Sequence, residues 1–241
     1  FRSVELQRIV TNTVSYAFLF LITTLIVNLT VALMLHEISN HRQALKYYQT
    51  TMIFPNFMSW VVVGYITYAI LNPKLGVLNS LLNMFGYESI NVYMDKRYWP
   101  FILTIVNIWK GVGMGSMVYF AGLIGIDRSL YEAASIDGAG RLRQIFHISI
   151  PGIRPLISIM LILALGGVFG GDFGLFYSIP RNQSLLYDTT DIIETYIFRG
   201  LQSANYSATA AVGLVQSIVG CILIIVTNGI VRKISPDNSL F

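Results

Sequence analysis

The chain has 241 residues, of which 54% are hydrophobic and only 12% are charged, and its formal net charge is +4. A soluble domain needs about 25% charged residues to cover its surface, so this composition excludes an ordinary soluble domain and indicates a membrane protein. The positive charge suits a neighbouring layer of anionic lipid, and no basic face interleaved with aromatic residues indicates a nucleic-acid partner.

Five continuous apolar segments are each long enough to cross a bilayer, which takes about 20 mostly apolar residues. Continuous runs are typical of membrane helices, whereas a membrane barrel would show alternation. We therefore predict an all-α, polytopic membrane helix bundle that forms a single domain over residues 1–241. Its spans are about 13–35, 52–71, 101–124, 153–177 and 209–231.

Basic residues suggest the orientation of these spans. They are denser in the loops 37–51 and 125–152 and in the tail from residue 232 than in the loops 72–100 and 178–208. Because cytoplasmic loops carry an excess of lysine and arginine, the first set is expected to be cytoplasmic and the second set to lie outside.

Two ionisable residues lie inside the predicted spans. Lys110 is near the middle of the third span, and Asp172 is in the outer half of the fourth. Such residues are costly in a bilayer and usually face a partner or a water-filled path. From the rise of a helix, their depths differ by about one lysine side chain. Two interpretations stay open, a structural role such as a mutual ion pair, or contact with a solute path.

The polar loop 125–152 contains the pattern of a short capped helix. Ser129 and Glu132 fit a capping box at its start, and Gly138 and Gly140 can take the left-handed conformation that ends a helix. We expect a helix of about two turns from Leu130 to Asp137. On this pattern alone the loop is either a simple connector or a docking element for another protein.

Glycine pairs at residues 166–167 and 170–171 predict a bent or unwound stretch in the fourth span. Broken helices expose backbone groups that can bind a polar solute, although close packing against a second helix explains the glycines equally well. Nearby aromatic residues could stack on sugar rings or belong to an interfacial belt. The candidate residues of a solute path are Lys110, Phe169, Asp172, Phe173 and Tyr177.

The outer loop after the fourth span has the pattern of a surface helix. Asp188 is placed to cap it, Asp191 falls in its first turn and Arg199 in its last turn, where each charge suits the helix dipole. Gly200 is expected to end it.

Motifs for catalysis and ligand binding are missing from the sequence. It contains no G-x-x-x-x-G-K-[ST] loop, no H-E-x-x-H or clustered metal ligands, and no spaced nucleophile and base. We therefore expect neither a nucleotide site nor a metal site in this chain, and we expect that it is not an enzyme.

Several positions of the polar loop match a known signature in both residue type and spacing: Glu132, Ala133, Ala134, Gly138, Ile148, Ile150 and Pro151. They closely resemble the signature EAA-x3-G-x9-I-x-L-P of permease subunits in binding-protein-dependent ABC transporters. Ile150, where leucine is usual, is the one departure. Trp109 with Gly113 and the stretches 72–79, 121–123 and 188–199 resemble the oligosaccharide and polysaccharide branch of this family.

The resemblance implies a permease subunit of an ATP-driven importer for oligosaccharides in the bacterial plasma membrane. It implies six spans in a full chain, with one span before Phe1, and a cytoplasmic coupling helix that docks into an ATP-binding subunit. The implied docking residues are Tyr131, Glu132, Ala133, Ala134, Ile136, Asp137, Gly138, Ile148 and Pro151.

The implied partners are a second permease subunit, two ATP-binding subunits that hold ATP and Mg, and an external solute-binding protein. No cofactor is implied for this chain. The rival hypothesis is a self-sufficient ion-coupled carrier or channel, for which Lys110 and Asp172 are the candidates for an ion site.

Overall fold

The computed structural model describes residues 4–167 and 170–234, and the regular secondary structure within these ranges is entirely helical. Its α-helices are α1 (Val4–Glu37), α2 (Arg42–Ile53), α3 (Trp60–Leu71), α4 (Val77–Met84), α5 (Trp99–Ile124), α6 (Arg128–Ile136), α7 (Arg141–Gln144), α8 (Ile150–Gly152), α9 (Arg154–Gly166), α10 (Phe173–Ser178), α11 (Tyr187–Thr190), α12 (Ile193–Gln202) and α13 (Tyr206–Ile234). The prediction of an all-α bundle is confirmed.

Three stretches in the described part of the chain are helical, long and apolar enough to cross a membrane: Val4–Glu37, Lys96–Ile124 and Tyr206–Val226. Two bent helix pairs, Arg42–Phe57 with Trp60–Leu71 and Arg141–Gly152 with Arg154–Leu165, also pass this test, which gives up to five spans. The second pair is bent by 62°.

The predicted span 52–71 contains a break between two helices. Helix α2 already begins at Arg42 and ends at Ile53, a 3-10 turn follows at Phe54–Phe57, and α3 begins only at Trp60. Pro55 has no N–H to continue an α-helix. The hydroxyl of Ser59 accepts a 3.3 Å hydrogen bond from the N–H of Val62 and so starts the new helix.

The fourth predicted span, 153–177, is also not one helix. Helix α9 ends at Gly166, and the chain resumes as α10 at Phe173. Gly170 and Gly171 are not helical, which confirms the predicted interruption.

The outer segment 188–200 is two helices instead of the one predicted. Asp191 is extended, with ψ of 125°, and separates α11 from α12. Its buried carboxylate accepts two hydrogen bonds from Arg199, at 2.7 and 2.6 Å, and this inward pairing breaks the helix. Asp188 does not cap a helix but bridges Arg8 and Lys96. The helix also continues past Gly200 to Gln202.

The described residues divide into two compact units. The first unit comprises 4–20, 58–107 and 170–222, and the second comprises 21–57, 108–166 and 223–234. Trp99, Leu103 and Leu175 are fully buried in the core of the first unit, and Ala32 and Leu123 in the core of the second. The first unit holds both loops predicted to lie outside, and the second holds those predicted to be cytoplasmic. The expected single domain stays a prediction.

Candidate functional site

Helix α6, in the polar loop of the second unit, begins two residues earlier than predicted. Its N-cap is Asp127, whose carboxylate accepts a 2.9 Å hydrogen bond from the N–H of Ser129. This hydrogen bond lowers the pKa of Asp127. The capping box of Ser129 and Glu132 is therefore wrong, because an aspartate just upstream supplies the acceptor that the helix end needs.

The end of α6 agrees with the prediction. Gly138 has φ of +77°, and the N–H of Ala139 donates to the carbonyl of Ala134 at 2.8 Å, which is the hydrogen bond of a glycine-ended helix. Gly140, in contrast, does not help to end α6. Its φ is −68° and it forms the N-cap of α7.

The predicted docking residues lie mostly at the surface of the second unit. Tyr131, Ala134 and Ile148 are partly buried. The remaining six are exposed, namely Glu132, Ala133, Ile136, Asp137, Gly138 and Pro151. Ile136 is 87% exposed, so the helix offers an apolar side chain that the described part of this chain does not cover.

Hydrogen bonds and an ion pair fix α6 to the helix ends around it. The hydroxyls of Tyr131 and Ser149 are 2.9 Å apart. Gln144 donates to the hydroxyl of Ser135 at 2.9 Å, and Arg141 forms an ion pair with Glu37 at the end of α1. The loop is therefore attached to the end of α1 through Arg141 of α7 and to Ser149 through Tyr131 of α6.

A cavity of about 610 Å³ lies beside α6 in the second unit. Its wall includes His36 and Glu37 from α1, and Arg128, Glu132 and Gln144 from the loop. The His36 ring lies 5.6 Å from that of Tyr131. The lining combines these polar side chains with apolar ones, among them Leu33 and Ile126.

Lys110 has a structural contact in the second unit. Its ammonium group donates to the backbone carbonyl of Asn56 at 2.9 Å, in the 3-10 turn that interrupts the second span. Three residues further along α5, a Cβ on Gly113 would overlap the carbonyl oxygen of Met52. Both residues of α5 thus serve the close approach of the broken helix, and pairing of Lys110 with Asp172 stays a prediction.

Three predicted solute-path residues lie together in the first unit. Asp172 caps α10, since its carboxylate accepts a 3.3 Å hydrogen bond from Leu175. Phe173 stacks on Tyr177 with ring centroids 5.0 Å apart, and both rings contact Phe198. The remaining aromatic candidate, Phe169, lies outside the described residues.

Glu194 was not predicted, although it holds the interrupted span to the outer helix α12. Its carboxylate accepts hydrogen bonds from the N–H of Gly171 and from the amide of Gln216, both at 2.7 Å. Burial raises the pKa of Glu194. The partners lie 23 and 22 residues away along the chain, so no local spacing could have revealed this cluster.

Within residues 4–167 and 170–234, no group of three or more histidine, cysteine, aspartate or glutamate side chains could hold a metal ion.

Comparison with known proteins adds a family match. Residues 29–239 match the family described as "Binding-protein-dependent transport system inner membrane component". The chain is 34% identical over 209 residues to the polygalacturonan/rhamnogalacturonan transport system permease protein YteP of Bacillus subtilis, covering 86% of this chain and 64% of that protein. It is 34% identical over 240 residues to protein LplB of the same organism, covering 98% and 74%.

A relative of lower sequence identity is also a transport system permease protein. The sn-glycerol-3-phosphate transport system permease protein UgpA of Salmonella typhi is 31% identical, over 75% of this chain and 59% of that protein. Thus the chain spans about three fifths to three quarters of the length of these relatives. A bacterial alginate ABC transporter, solved with an alginate pentasaccharide-bound periplasmic protein, contains a chain of the same fold. Its TM-score is 0.92 at 31% identity, over 97% of this chain and 81% of that one.

Proposed function

The chain belongs to the family of binding-protein-dependent transport system inner membrane components, and from this premise we propose that it is the permease subunit of an ATP-driven importer. It is a helical membrane protein of the inner membrane. Its solute would be an oligosaccharide, delivered by an external solute-binding protein.

The exposed helix α6 is the observation that carries this proposal. It matches the family signature, it is capped at both ends by Asp127 and Gly138, and it exposes Ile136 almost fully. A single exposed apolar side chain is common on protein surfaces, so the match of this helix to the family signature is what favours docking over a simple connector. The proposed partner is an ATP-binding subunit, and the docking residues are those of the matched signature.

The attachment of α6 to the spans supports a coupling role. Because Tyr131 contacts Ser149 and Arg141 pairs with Glu37, movement of an ATP-binding subunit would reach the ends of two helices that belong to predicted spans. Nucleotide can shift the balance between inward-open and outward-open states only if the ATP-binding pair has different affinity for each. ATP and Mg would bind in those partner subunits, and a second permease subunit would complete the solute path.

The named relatives support a sugar or sugar-like solute. YteP is named for polygalacturonan and rhamnogalacturonan, and the alginate transporter for an acidic polysaccharide. The rival, an ion-coupled carrier, would need an ion site of its own. Its two candidates are engaged in local contacts, Lys110 with Asn56 and Asp172 with α10.

Site-directed cross-linking tests the proposed docking. In a Cys221→Ser background, which removes the exposed native thiol, Ile136→Cys should cross-link to an ATP-binding subunit in the co-purified complex. Leu75→Cys is the matched control, because Leu75 is equally exposed at 87% but lies in a loop predicted to be outside. Cross-linking of Leu75→Cys to the ATP-binding subunit, with none from Ile136→Cys, would overturn the proposal.

A further inference from the structure

A small cavity in the first unit lies between α3, α10 and the loop that follows α10. Its volume is about 210 Å³, which is room for about one sugar ring. One close backbone approach shapes it, because a Cβ on Gly64 would lie only 2.8 Å from the carbonyl oxygen of Ser178. The lining includes Val61 and Tyr65 of α3, Tyr177 of α10, and the loop residues Arg181 and Asn182.

The charge in this cavity is a single arginine. None of the lining residues is acidic. Within the described ranges, the salt bridges of the first unit use other basic residues, namely Arg8, Lys96, Arg97 and Arg199, and none includes Arg181. Arg181 is exposed, so its positive charge is available to an anionic ligand.

Stacking holds the Arg181 guanidinium without using its donors. The guanidinium carbon lies 4.1 Å from the centroid of the Tyr68 ring, and Tyr68 in turn packs edge-on against the buried Tyr93 at 5.5 Å. A stacked guanidinium engages its face, whereas its N–H donors lie in its plane. The donors therefore remain free to form a two-bond contact with a carboxylate.

The loop backbone is held in an uncommon conformation. Arg181 and Asn182 have φ of 59° and 50°, and two successive non-glycine residues in this region cost free energy that the surroundings must supply. The hydroxyl of Tyr187 donates to the side-chain oxygen of Asn182 at 2.8 Å. Arg199, which is paired with Asp191, lies over the Tyr187 ring at 4.2 Å. This support fixes the amide nitrogen of Asn182 as a hydrogen-bond donor beside Arg181.

We propose that this cavity is a subsite for an acidic sugar unit. Arg181 binds the carboxylate, the rings of Tyr65 and Tyr177 contact the apolar face of the sugar, and the Asn182 amide donates to a ring hydroxyl. Arg181 and Asn182 lie in the loop 178–208, which is predicted to be outside, while Val61 and Tyr65 lie in the predicted second span. The inference rests on the proposed transport of oligosaccharides and adds to it the charge of the solute.

Ligand protection of a cysteine tests this binding without requiring transport. Val61 lines the cavity and is 58% exposed, so Val61→Cys in the Cys221→Ser background reports occupancy by its rate of reaction with a maleimide. The assembled complex would be studied in nanodiscs of zwitterionic lipid. Trigalacturonate should slow the reaction, and the neutral trisaccharide galactotriose should have much less effect. Arg181→Gln should weaken trigalacturonate protection about tenfold, as expected for loss of a charge-assisted contact.

Two matched variants identify the source of the effect. Arg97→Gln removes the same charge from another outer loop, where Arg97 is 82% exposed and paired with Asp95, and protection should be unchanged. Arg181→Lys keeps the charge without the planar fork, and should retain part of the protection. The reaction rate without ligand checks that the cavity is intact in each variant.

The alternative anion is a phospholipid headgroup, whose phosphate could accept from the same N–H donors of the Arg181 guanidinium. If anionic phosphatidylglycerol in the nanodisc slows the reaction and trigalacturonate does not, the subsite is a lipid site and the proposal fails. Equal protection by galactotriose and trigalacturonate, unaffected by Arg181→Gln, would also overturn it. Neither result bears on ATP-driven import itself, which is measured separately by uptake.

Discussion

Gly138 is the residue whose conformation decides the direction in which the chain leaves α6. A Cβ added to either Gly138 or Gly140 would meet nothing within 4 Å, but only Gly138 has positive φ. A side chain in this left-handed region costs roughly 1–2 kcal/mol, while the ordinary φ of Gly140, −68°, accepts one without strain. The two glycines are therefore a matched pair within one loop.

We predict that Gly138→Ala lowers solute-stimulated ATP hydrolysis of the reconstituted complex, and that Gly140→Ala leaves it near normal. Gly138→Pro should be more severe, since proline fixes φ near −65°. Membrane levels of all three variants should be similar because the loop is polar and lies outside the predicted spans. Equal ATPase activity of Gly138→Pro and Gly140→Ala would show that the exit angle of α6 does not matter for coupling.

Glu194 gives the outer part of the molecule a pH dependence. Burial raises its pKa from the usual 4.5, so the folded state binds its proton more tightly than the unfolded state does. This contribution to stability is fully present below the unfolded pKa and is lost as pH rises through the folded pKa. The thermal midpoint should therefore fall across this window as pH rises from about 4.5, by an amount that Glu194→Gln removes.

Thermal unfolding of the detergent-solubilised protein over that pH range measures the effect. The exposed Glu88 supplies the control. In Glu88→Gln, the thermal midpoint should change with pH as it does in the unsubstituted protein. If the thermal midpoint of Glu194→Gln still falls with pH as in the unsubstituted protein, the pH dependence comes from another group.

At the scale of elements, α5 approaches the broken second span through one glycine. A Cβ at Gly113 would overlap backbone atoms of Met52, whereas a Cβ at Gly111, half a turn away, meets nothing within 4 Å. Small residues are common where membrane helices pack closely. The glycines in this run therefore differ in role: Gly113 is required by the packing against the Met52 backbone and Gly115 leaves room for the Asn28 side chain, whereas Gly111 is not crowded.

Gly113→Ala should destabilise the protein by about 1–3 kcal/mol, the usual cost of overpacking, and Gly111→Ala should not. The midpoint of unfolding in the same detergent compares the two variants directly. If both alanines are tolerated alike, the contact between α5 and the end of α2 at Met52 is looser than the structure indicates.

Local signals explain which elements could be predicted from the sequence. Gly138 ends α6 as expected because a left-handed stop depends on that residue alone. The start of α6 was misplaced because Asp127 and Ser129 are both good capping residues, and spacing does not say which one is used. The long apolar run over 52–71 likewise hid the helix break at Pro55.

Contacts between distant parts of the chain could not be predicted. The contacts of Glu194 with Gly171 and of Arg181 with Tyr68 depend on how helices pack. Neither residue periodicity nor motif spacing carries that information. The family resemblance predicted a coupling role for the loop 125–152, but it gave no role to the acidic and basic residues of the outer helices.

For the whole molecule, the family match and the exposed helix α6 support the same proposed division of labour. In it, this chain would supply a solute path and a docking helix, and partner subunits would supply ATP hydrolysis. The two compact units each contain loops predicted for one side of the membrane, as a transporter with separate outer and cytoplasmic contacts requires. The rival hypothesis, an ion-coupled carrier, differs in its energy source, because an ion gradient and not ATP would drive transport.

Uptake into proteoliposomes tests that difference most directly. The complete complex would be reconstituted with ATP and Mg enclosed on the side of the ATP-binding subunits, and with solute-binding protein and labelled oligosaccharide on the other side. The account predicts uptake that requires both ATP and the solute-binding protein, that is abolished by Gly138→Pro, and that persists when ion gradients are collapsed. Uptake by this chain alone, driven by an ion gradient without ATP, would contradict it.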